Sequence, residues 1–360
     1  MPDADGAPPA DPLEERPEFH PDEVPSFDLD VEAPAFWGTP REKPLTVIAL
    51  GGNAISPRDS TGSYEAQAAA VEATAEQVVD VMKAGYKVVL THGNGPQVGA
   101  LLLQQEQGEP PAQPLAVCGA MSQGQIGYML AQRMQVQLER RWKHVPVACL
   151  LTQTIVAADD PAFDHPTKPI GPFMSEARAE ALRAAGATVE RVRDHGERPF
   201  RRVVPSPEPL GIVEEVPVKR LIDQRDLVIC GGGGGVPVTR SAGHIQGVEA
   251  VVDKDLLAAQ LGHLLNADYL LILTDVDGVY RDYGTADAAR LGEVTAAELR
   301  ALQADGQFPE GSMGPKVAAA CRFVEGPSRR KRTAVVASLD EAQAALAGEA
   351  GTRVVAGADP

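Results

Sequence analysis

The stretch GVEAVVDKDLLAAQLGHLL, residues 247–265, sets the pattern for the rest of the chain. Leucines recur in it at helical spacing, which predicts a helix with one apolar face. These leucines are Leu256, Leu257, Leu261, Leu264 and Leu265. Asp253 stands at the expected N-cap, and Asp255 falls in the first turn, where a carboxylate is favoured. Lys254 is anomalous, because a cation at a helix N-terminus opposes the macrodipole by roughly 0.3–1 kcal/mol. An anion bound there would explain it, although a lysine solvated between two aspartates fits these residues equally well.

Composition limits the class of protein. The chain has 360 residues, enough for one large α/β domain or two smaller ones. Hydrophobic residues make up 44% but aromatic residues only 4%, which favours helices packed tightly on a parallel sheet over a ligand site lined with rings. The formal charge is −17, from 33 basic and 50 acidic residues, and neither residues 1–44 nor the rest of the chain is basic overall. A nucleic-acid-binding surface is therefore not expected.

Residues 1–44 differ from the rest. They contain twelve acidic residues, three basic residues and ten of the chain's 30 prolines, so we predict a disordered acidic extension before a folded domain over residues 45–360. This N-terminus does not resemble a secretory or transit peptide, and the chain has no run of 18 apolar residues that could span a membrane. The four cysteines form no CxxC motif, so we expect a cytoplasmic protein in a reducing compartment.

Three predicted strands, residues 46–50, 87–90 and 226–230, each run into a glycine-rich loop. In open α/β sheets, ligands sit at the carboxyl ends of the strands, and successive peptide N–H groups in such loops can surround a phosphate. Three loops together predict phosphate binding. The P-loop motif is absent and the GxGxxG spacing is not met, which disfavours a Rossmann dinucleotide site. The candidate residues in these loops are Gly51, Gly52, Asn53, Gly93, Asn94, Gly95, Gly232 and Gly233.

Two later motifs add candidate nucleotide contacts. A buried strand over residues 269–273 runs into Asp275 and Tyr280, which suits ribose or base contact, although paired acids here could instead hold a metal or cap a turn. Near the C-terminus, Pro315 suits the first turn of a helix, so Lys316 is a second lysine at a helix N-terminus.

Residues 155–202 are rich in prolines and charge and predict an excursion from the sheet, a lid or small subdomain. Lys168 lies there in a loop stiffened by Pro166, Pro169 and Pro172, which fits a substrate clamp. A solvated loop lysine is the plainer alternative.

Over residues 45–357 the chain resembles carbamate kinases of the amino-acid kinase superfamily. The strings that carry the resemblance are LGGNAI, THGNGPQVG, CGAMSQGQIGY, DPAFDHPTKPIGPF, RRVVPSPEP, CGGGGGVPV, GVEAVVDKDL, LILTDVDGVY and GSMGPKV. The resemblance implies an open three-layer αβα sandwich with a mostly parallel central sheet, an inserted protruding lid and a homodimer. It also implies reversible phosphoryl transfer between carbamoyl phosphate and ADP, giving ATP and carbamate. Mg²⁺ would be bound mainly through the nucleotide phosphates, with no metal site of the protein's own.

The resemblance also implies roles for individual residues. Lys168, Lys254 and Lys316 match the family's active-site lysines, and Asp255 matches the carboxylate that holds two of them. Gly51, Gly52 and Asn53 match the loop around the transferred phosphoryl group, and we also assign Gly93, Asn94 and Gly95 to substrate or phosphate. Asp275 and Tyr280 match the nucleotide side, to which we also assign Gly232, Gly233, Met313 and Gly314. The chain departs from the pattern in its first 44 residues, at Ile55, where leucine is commoner, and at Met174, which could alter the mouth of the lid.

The predicted chemistry needs no general base, because carbamate is already an anionic nucleophile and phosphoryl transfer depends on positioning and charge stabilisation. We accordingly expect His92, beside a glycine loop, to be structural. Two alternatives remain: a sibling kinase that forms another acyl phosphate, and a nucleotide or carbamoyl phosphate sensor without catalysis. The lid motif disfavours the first, and the intact lysines and Asp255 disfavour the second.

Overall fold

The computed structural model describes residues 43–56, 62–107, 109–141, 145–193, 196–224, 226–241, 243–309, 312–326 and 331–357. The extension expected at residues 1–44 therefore lies almost entirely outside the described residues. The strands are β1 (Leu45–Leu50), β2 (Lys87–His92), β3 (Val147–Cys149), β4 (Gln153–Ile155), β5 (Lys168–Met174), β6 (Val189–Arg191), β7 (Phe200–Val204), β8 (Gly211–Ile212), β9 (Leu227–Ile229), β10 (Val236–Ser241), β11 (His244–Gly247), β12 (Tyr269–Thr274), β13 (Tyr280–Arg281), β14 (Ala289–Arg290), β15 (Glu293–Thr295), β16 (Thr333–Ser338) and β17 (Thr352–Val355). The helices are α1 (Tyr64–Lys83), α2 (Gly95–Gln107), α3 (Leu115–Arg141), α4 (Glu176–Ala184), α5 (Glu215–Asp223), α6 (Lys254–Leu264), α7 (Ala296–Ala304), α8 (Met313–Glu325) and α9 (Ala342–Ala347).

The largest sheet within the described ranges has eight strands in the order β15-β17-β16-β12-β1-β2-β9-β3. Its pairings are parallel except for the antiparallel pair β16–β17. Strand residues alternate between two apolar cores, as the period of a strand requires. In β1, Val47 and Ala49 pack in the core formed with α6 and α8, while Ile48 and Leu50 pack in the core formed with α1, α3 and α9. The expected three-layer αβα fold is confirmed.

The carboxyl ends of the three central strands, β12, β1 and β2, bring their loops together. The amide of Gly51 donates a hydrogen bond to the carbonyl of Leu273 at 2.9 Å, and the amide of Gly93 donates to the carbonyl of Leu50 at 3.1 Å. A Cβ on Gly51 would lie 2.9 Å from that Leu273 oxygen, so the close approach requires glycine. The loop after β1 thus sits between the loops of its two neighbours.

The inserted region forms a separate small sheet, β5-β7-β6, with α4 beside it; we call residues 168–204 the lid. Our expectation that Lys168 lies in a loop was wrong, because Lys168 is the first residue of β5. The prolines of β5 are tolerated because β5 is an edge strand, where a missing N–H leaves no partner unpaired. Phe163, in the segment before the lid, packs against the core of the main domain.

Two of the three departures from the family pattern, Met174 and Ile55, lie in apolar packing. Met174 packs against the lid's own cluster of Ala179, Val189 and Phe200. Ile55 is fully buried beside the main sheet. None of the helices in the described ranges is long and apolar enough to cross a bilayer.

Candidate active site

The N-terminus of α6 is built as its sequence predicts. One carboxylate oxygen of Asp253 accepts hydrogen bonds from the amides of Asp255 at 2.9 Å and Leu256 at 3.4 Å, so Asp253 is the N-cap. Leu257 and Leu261 are fully buried in the core against the sheet. The cap and this apolar face fix the first turn of α6 beside the glycine loops, and Lys254 and Asp255 are carried there with it.

Asp255 binds two lysines from different helices. One oxygen accepts a hydrogen bond from Lys254, and the other accepts one from Lys316 of α8 at 3.0 Å. The side chains of Asp255, Lys254 and Lys316 are only 3%, 13% and 15% exposed, so solvent screens these ion pairs weakly. We call these three residues the charge cluster.

The pKa values of Asp255 and Lys316 move in directions that keep their charges, whereas that of Lys254 moves the other way. Burial alone would raise the pKa of Asp255, but the two ammonium groups hold it well below its usual range. Burial would lower the pKa of Lys316, yet attraction to Asp255, with smaller contributions from Asp253 and Asp275, raises it. The pKa of Lys254 is lowered, first by burial and then by Lys316, with Asp255 only partly compensating.

The third predicted lysine also reaches this region. Lys168 Nζ lies 2.5 Å from the second carboxylate oxygen of Asp253, the residue that caps α6. All three lysines are therefore held by two aspartates that are two residues apart in the chain.

A cavity of about 590 Å³ opens onto the lysines and the glycine loops. Most of the predicted site residues line it; these are Gly51, Gly52, Gly93, Asn94, Gly95, Lys168, Gly233, Lys254, Asp255, Asp275, Tyr280, Met313 and Lys316. Gly232 and Gly314 do not contribute to its wall within the described residues. Asn53 lies in a short 3₁₀ helix, Gly52–Ala54, at the end of β1.

The loop of residues 231–235 is buried and lies next to the loop after β2. A Cβ on Gly232 would lie 2.3 Å from Nε2 of His92, and a Cβ on Gly233 would lie 2.1 Å from the amide nitrogen of Asn94. Gly233 also has a positive φ of 65°, so glycine is needed there for two reasons. The structure therefore places Gly232 and Gly233 on the β2 side of the cavity, beside Asn94, whereas Asp275 follows β12 on the other side.

Polar residues behind the cavity orient its wall. His92 is 1% exposed, and its ring Nδ1 lies 3.0 Å from the carbonyl of Gly93. Burial, helped by the nearby Lys254, lowers the pKa of His92 to about 4, so the ring is neutral near pH 7. The amide of Asn94 donates to Ser122 Oγ at 2.8 Å. These contacts support a structural role for His92.

Sequence reasoning missed part of the site. Tyr283, Gln307, Phe308 and Pro309 line the cavity on the side of Tyr280, from the β13–β14 connection and the segment between α7 and α8. Only the aromatic character of Tyr283, in a polar stretch, could have signalled a surface contact. Asp253 was predicted as a helix cap, but its contact with Lys168, 85 residues away, was not predicted.

Comparisons with known proteins show which family this chain is similar to. The model of the amino acid kinase family matches residues 44–338. A carbamate kinase from Thermococcus kodakarensis is 51% identical over 315 residues, which cover 86% of this chain and 98% of that protein. One from Halobacterium salinarum is 47% identical over 311 residues, again covering 86% of this chain and 98% of the relative.

A solved structure gives the same picture. Carbamate kinase from Giardia lamblia bound to AMP-PNP matches with a TM-score of 0.80 and 45% identity, covering 87% of this chain and 99% of that one. The charge cluster, the glycine loops around it and these matches over nearly the full length of the relatives lead to one assignment: this chain belongs to the amino acid kinase family and, within it, to the carbamate kinases.

Proposed function

We propose that this chain catalyses reversible phosphoryl transfer between carbamoyl phosphate and ADP, giving ATP and carbamate, which breaks down to ammonia and CO₂. The observation that carries the proposal is the charge cluster, in which two buried lysines share one carboxylate at the edge where the glycine loops of β1 and β2 meet. A phosphoryl group in transfer carries negative charge on its oxygens, and fixed cations and peptide amides stabilise that charge.

The surroundings of the two buried lysines suggest different tasks. A Cβ on Gly93 would lie 3.4 Å from Cδ of Lys254, so the Lys254 side chain runs along the loop after β2 and towards the loop after β1. Lys254 would stabilise the transferred phosphoryl group, together with the amides of Gly51 and Gly52. Lys316 is attracted electrostatically by Asp275 on the nucleotide side, and we assign it to the region between the β- and γ-phosphates.

The acceptor side is assigned to the lid. Lys168 lines the cavity from β5, and Asn94 and Gly95 line it from the start of α2. Lys168 would hold the carboxyl oxygens of carbamate or of carbamoyl phosphate. No histidine of the described residues lines the cavity, which suits an anionic nucleophile that needs no general base.

The nucleotide side is assigned to the surface between β12 and α8. Asp275, Tyr280 and Met313 lie there, and the exposed ring of Tyr283 stands edge-on to Tyr280 with centroids 5.7 Å apart. These groups would contact the ribose and base. Gly232, Gly233 and Gly314 keep their nucleotide assignment only as predictions, since Gly232 and Gly233 lie beside Asn94.

Mg²⁺ is expected with the nucleotide. Within the described residues no group of three histidine, cysteine or acidic side chains is placed to hold a metal, and Asp275 contributes a carboxylate to the nucleotide side of the cavity. This donor set fits an ion bound mainly through nucleotide phosphates, as Mg²⁺ commonly is. When bound, the ion would neutralise phosphate charge.

The decisive experiment couples ATP formation to a luminescent or NADPH-producing readout, with carbamoyl phosphate and ADP as substrates. We expect ATP from carbamoyl phosphate and little from acetyl phosphate. Faster turnover with acetyl phosphate would favour the sibling kinase. Binding of carbamoyl phosphate or ADP without turnover would favour a sensor and would overturn the proposal.

We also propose a homodimer. Val117, Met121, Gly124 and Tyr128 recur at helical spacing on α3 and are all exposed, which leaves an apolar stripe on the surface. Such a stripe suits an isologous contact between two copies of the same helix. Met121→Asp should shift the molecular mass measured by light scattering from dimer to monomer, whereas Tyr64→Asp, at an exposed aromatic residue on α1, should not. An unchanged mass in Met121→Asp would remove α3 from the interface.

The physiological direction is proposed as ATP synthesis from carbamoyl phosphate derived from arginine or a related nitrogen source. A cytoplasmic location remains a prediction from the sequence.

A further inference from the structure

Asp253 makes two kinds of contact at once. One oxygen caps α6 through the amides of Asp255 and Leu256, and the other accepts a hydrogen bond from Lys168 at 2.5 Å. Its side chain is 10% exposed and that of Lys168 is 33% exposed, and both residues line the cavity. A helix cap requires only the first contact, so the second calls for its own explanation.

The contact joins two parts of the molecule that meet at the cavity. Lys168 starts the lid, and Asp253 caps the helix that carries Lys254 and Asp255. The residue directly after the lid is tied to the same segment, because the amide of Val251 donates a hydrogen bond to the carbonyl of Pro205 at 3.0 Å. Residues 168 and 204 are paired neighbours in the lid sheet. Both ends of the lid are therefore attached to residues 251–253.

Lysine needs such a partner in order to act as a clamp. Its ammonium group carries three N–H donors on a flexible four-carbon chain, and an unpaired side chain samples many rotamers. A bond to Asp253 occupies one donor and restricts the chain, which leaves two donors for an anion. The position of Lys168 over the acceptor side is then set before the substrate binds, and less side-chain conformational entropy is lost on binding.

We infer that Asp253 is a positioning residue for the acceptor substrate: it fixes the lid lysine over the cavity through one oxygen while its other oxygen holds the helix that carries Lys254 and Asp255. Asp253 does not touch the reacting atoms in this role and acts through Lys168. The inference rests on the proposed activity, because the acceptor substrate is identified by it.

The two contacts of Asp253 can be separated by substitution. Asp253→Ser keeps a residue that caps helices about as well as aspartate, but the serine side chain is too short to hold Lys168. We expect the KM for carbamoyl phosphate to rise about tenfold, as for the loss of one charge-assisted hydrogen bond, while the KM for ADP changes by less than about twofold. Asp160→Ser is the matched control, since Asp160 caps a short helix before the lid and contacts the amides of Ala162 and Glu208 instead.

A double-mutant cycle tests whether Asp253 acts through Lys168. In a Lys168→Met background, Asp253→Ser should produce no further change in the KM for carbamoyl phosphate. Additive effects would overturn the inference, as would equal increases in both KM values.

Hydrogen exchange gives a readout that does not depend on activity. In Asp253→Ser, amides of β5 should exchange faster, while those of α6 keep their protection. If the amides of α6 lost protection while those of β5 exchanged as in the wild type, Asp253 would act only as a helix cap. If the wild-type chain makes no ATP, the proposed function fails, whereas the exchange measurement still tests the link between the lid and α6.

Discussion

Replacement of Asp255 by asparagine would remove the one charge that both buried lysines share. The shape of the side chain is nearly kept, so the change acts mainly through charge. At the 3.0 Å separation between Lys316 Nζ and Asp255 Oδ2, an effective dielectric constant of about 20 gives an attraction of roughly 5 kcal/mol. The cost of burying these charges offsets much of this attraction in the folded protein, but the substitution leaves the two ammonium groups buried and facing each other.

Breaking a buried pair by removing one partner costs about 3–5 kcal/mol. We expect the lower end, about 3 kcal/mol, because Lys254 already has a lowered pKa and can release its proton to relieve the repulsion. Such a loss leaves most domains folded, since typical stabilities are about 5–15 kcal/mol. Turnover should fall by roughly 10²–10³, because the lysines are no longer held in place.

Urea denaturation and the ATP-forming assay measure the two effects. Glu215→Gln is the control, because it breaks an exposed ion pair with Lys219 and should cost no more than about 0.5 kcal/mol. Sulfate should raise the melting temperature of Asp255→Asn more than that of the wild type, since an anion can replace the missing charge. A loss of stability below about 1 kcal/mol together with unchanged turnover would refute the account of the charge cluster.

Three further predictions concern single residues. Lys316→Ala should lower turnover by roughly 10²–10³ with the fold intact, as checked by circular dichroism; near-normal turnover would remove its assigned role. The pKa of His92 is lowered from 6.5 to about 4, so between these pH values His92 is protonated in the unfolded chain but neutral in the folded one. The free energy of unfolding should therefore fall by up to about 3 kcal/mol as the pH falls from 6.5 to 4. His92→Gln should flatten that slope in urea denaturation at several pH values, and an unchanged slope would contradict the assignment. A Cβ on Gly99 would lie 2.6 Å from Cα of Gly171, so Gly99→Ala should displace the lid, lower the free energy of unfolding by about 1–3 kcal/mol and raise the KM for carbamoyl phosphate. Gly119→Ala is the control, because the added methyl group meets open space and the change should be neutral or stabilising. Equal behaviour of the two variants would argue against the contact between Gly99 and Gly171.

Local patterns in the sequence determined much of this protein. The cap at Asp253, the apolar stripe of α6 and the strands that enter glycine loops depend on neighbours within a few residues, and the structure has them as expected. Parallel strands followed by such loops also place the loops at one edge of the sheet, which is why the sequence alone predicted where an anion would bind. The motifs shared with carbamate kinases added the identities of Lys168 and Lys316.

Other features were decided only by the tertiary structure. The bond between Lys168 and Asp253 joins residues 85 positions apart. The place of Gly232 and Gly233 beside His92 and Asn94 depends on the pairing of β2 with β9. The spacing of apolar residues in the sequence indicates which face of a helix or strand is buried. It does not indicate which distant side chains meet across a cavity, because those contacts depend on the order of strands in the sheet and on the packing of separate elements. The sequence therefore determined the kinds of groups at this site, and the packing of lid, sheet and helices determined which of them touch.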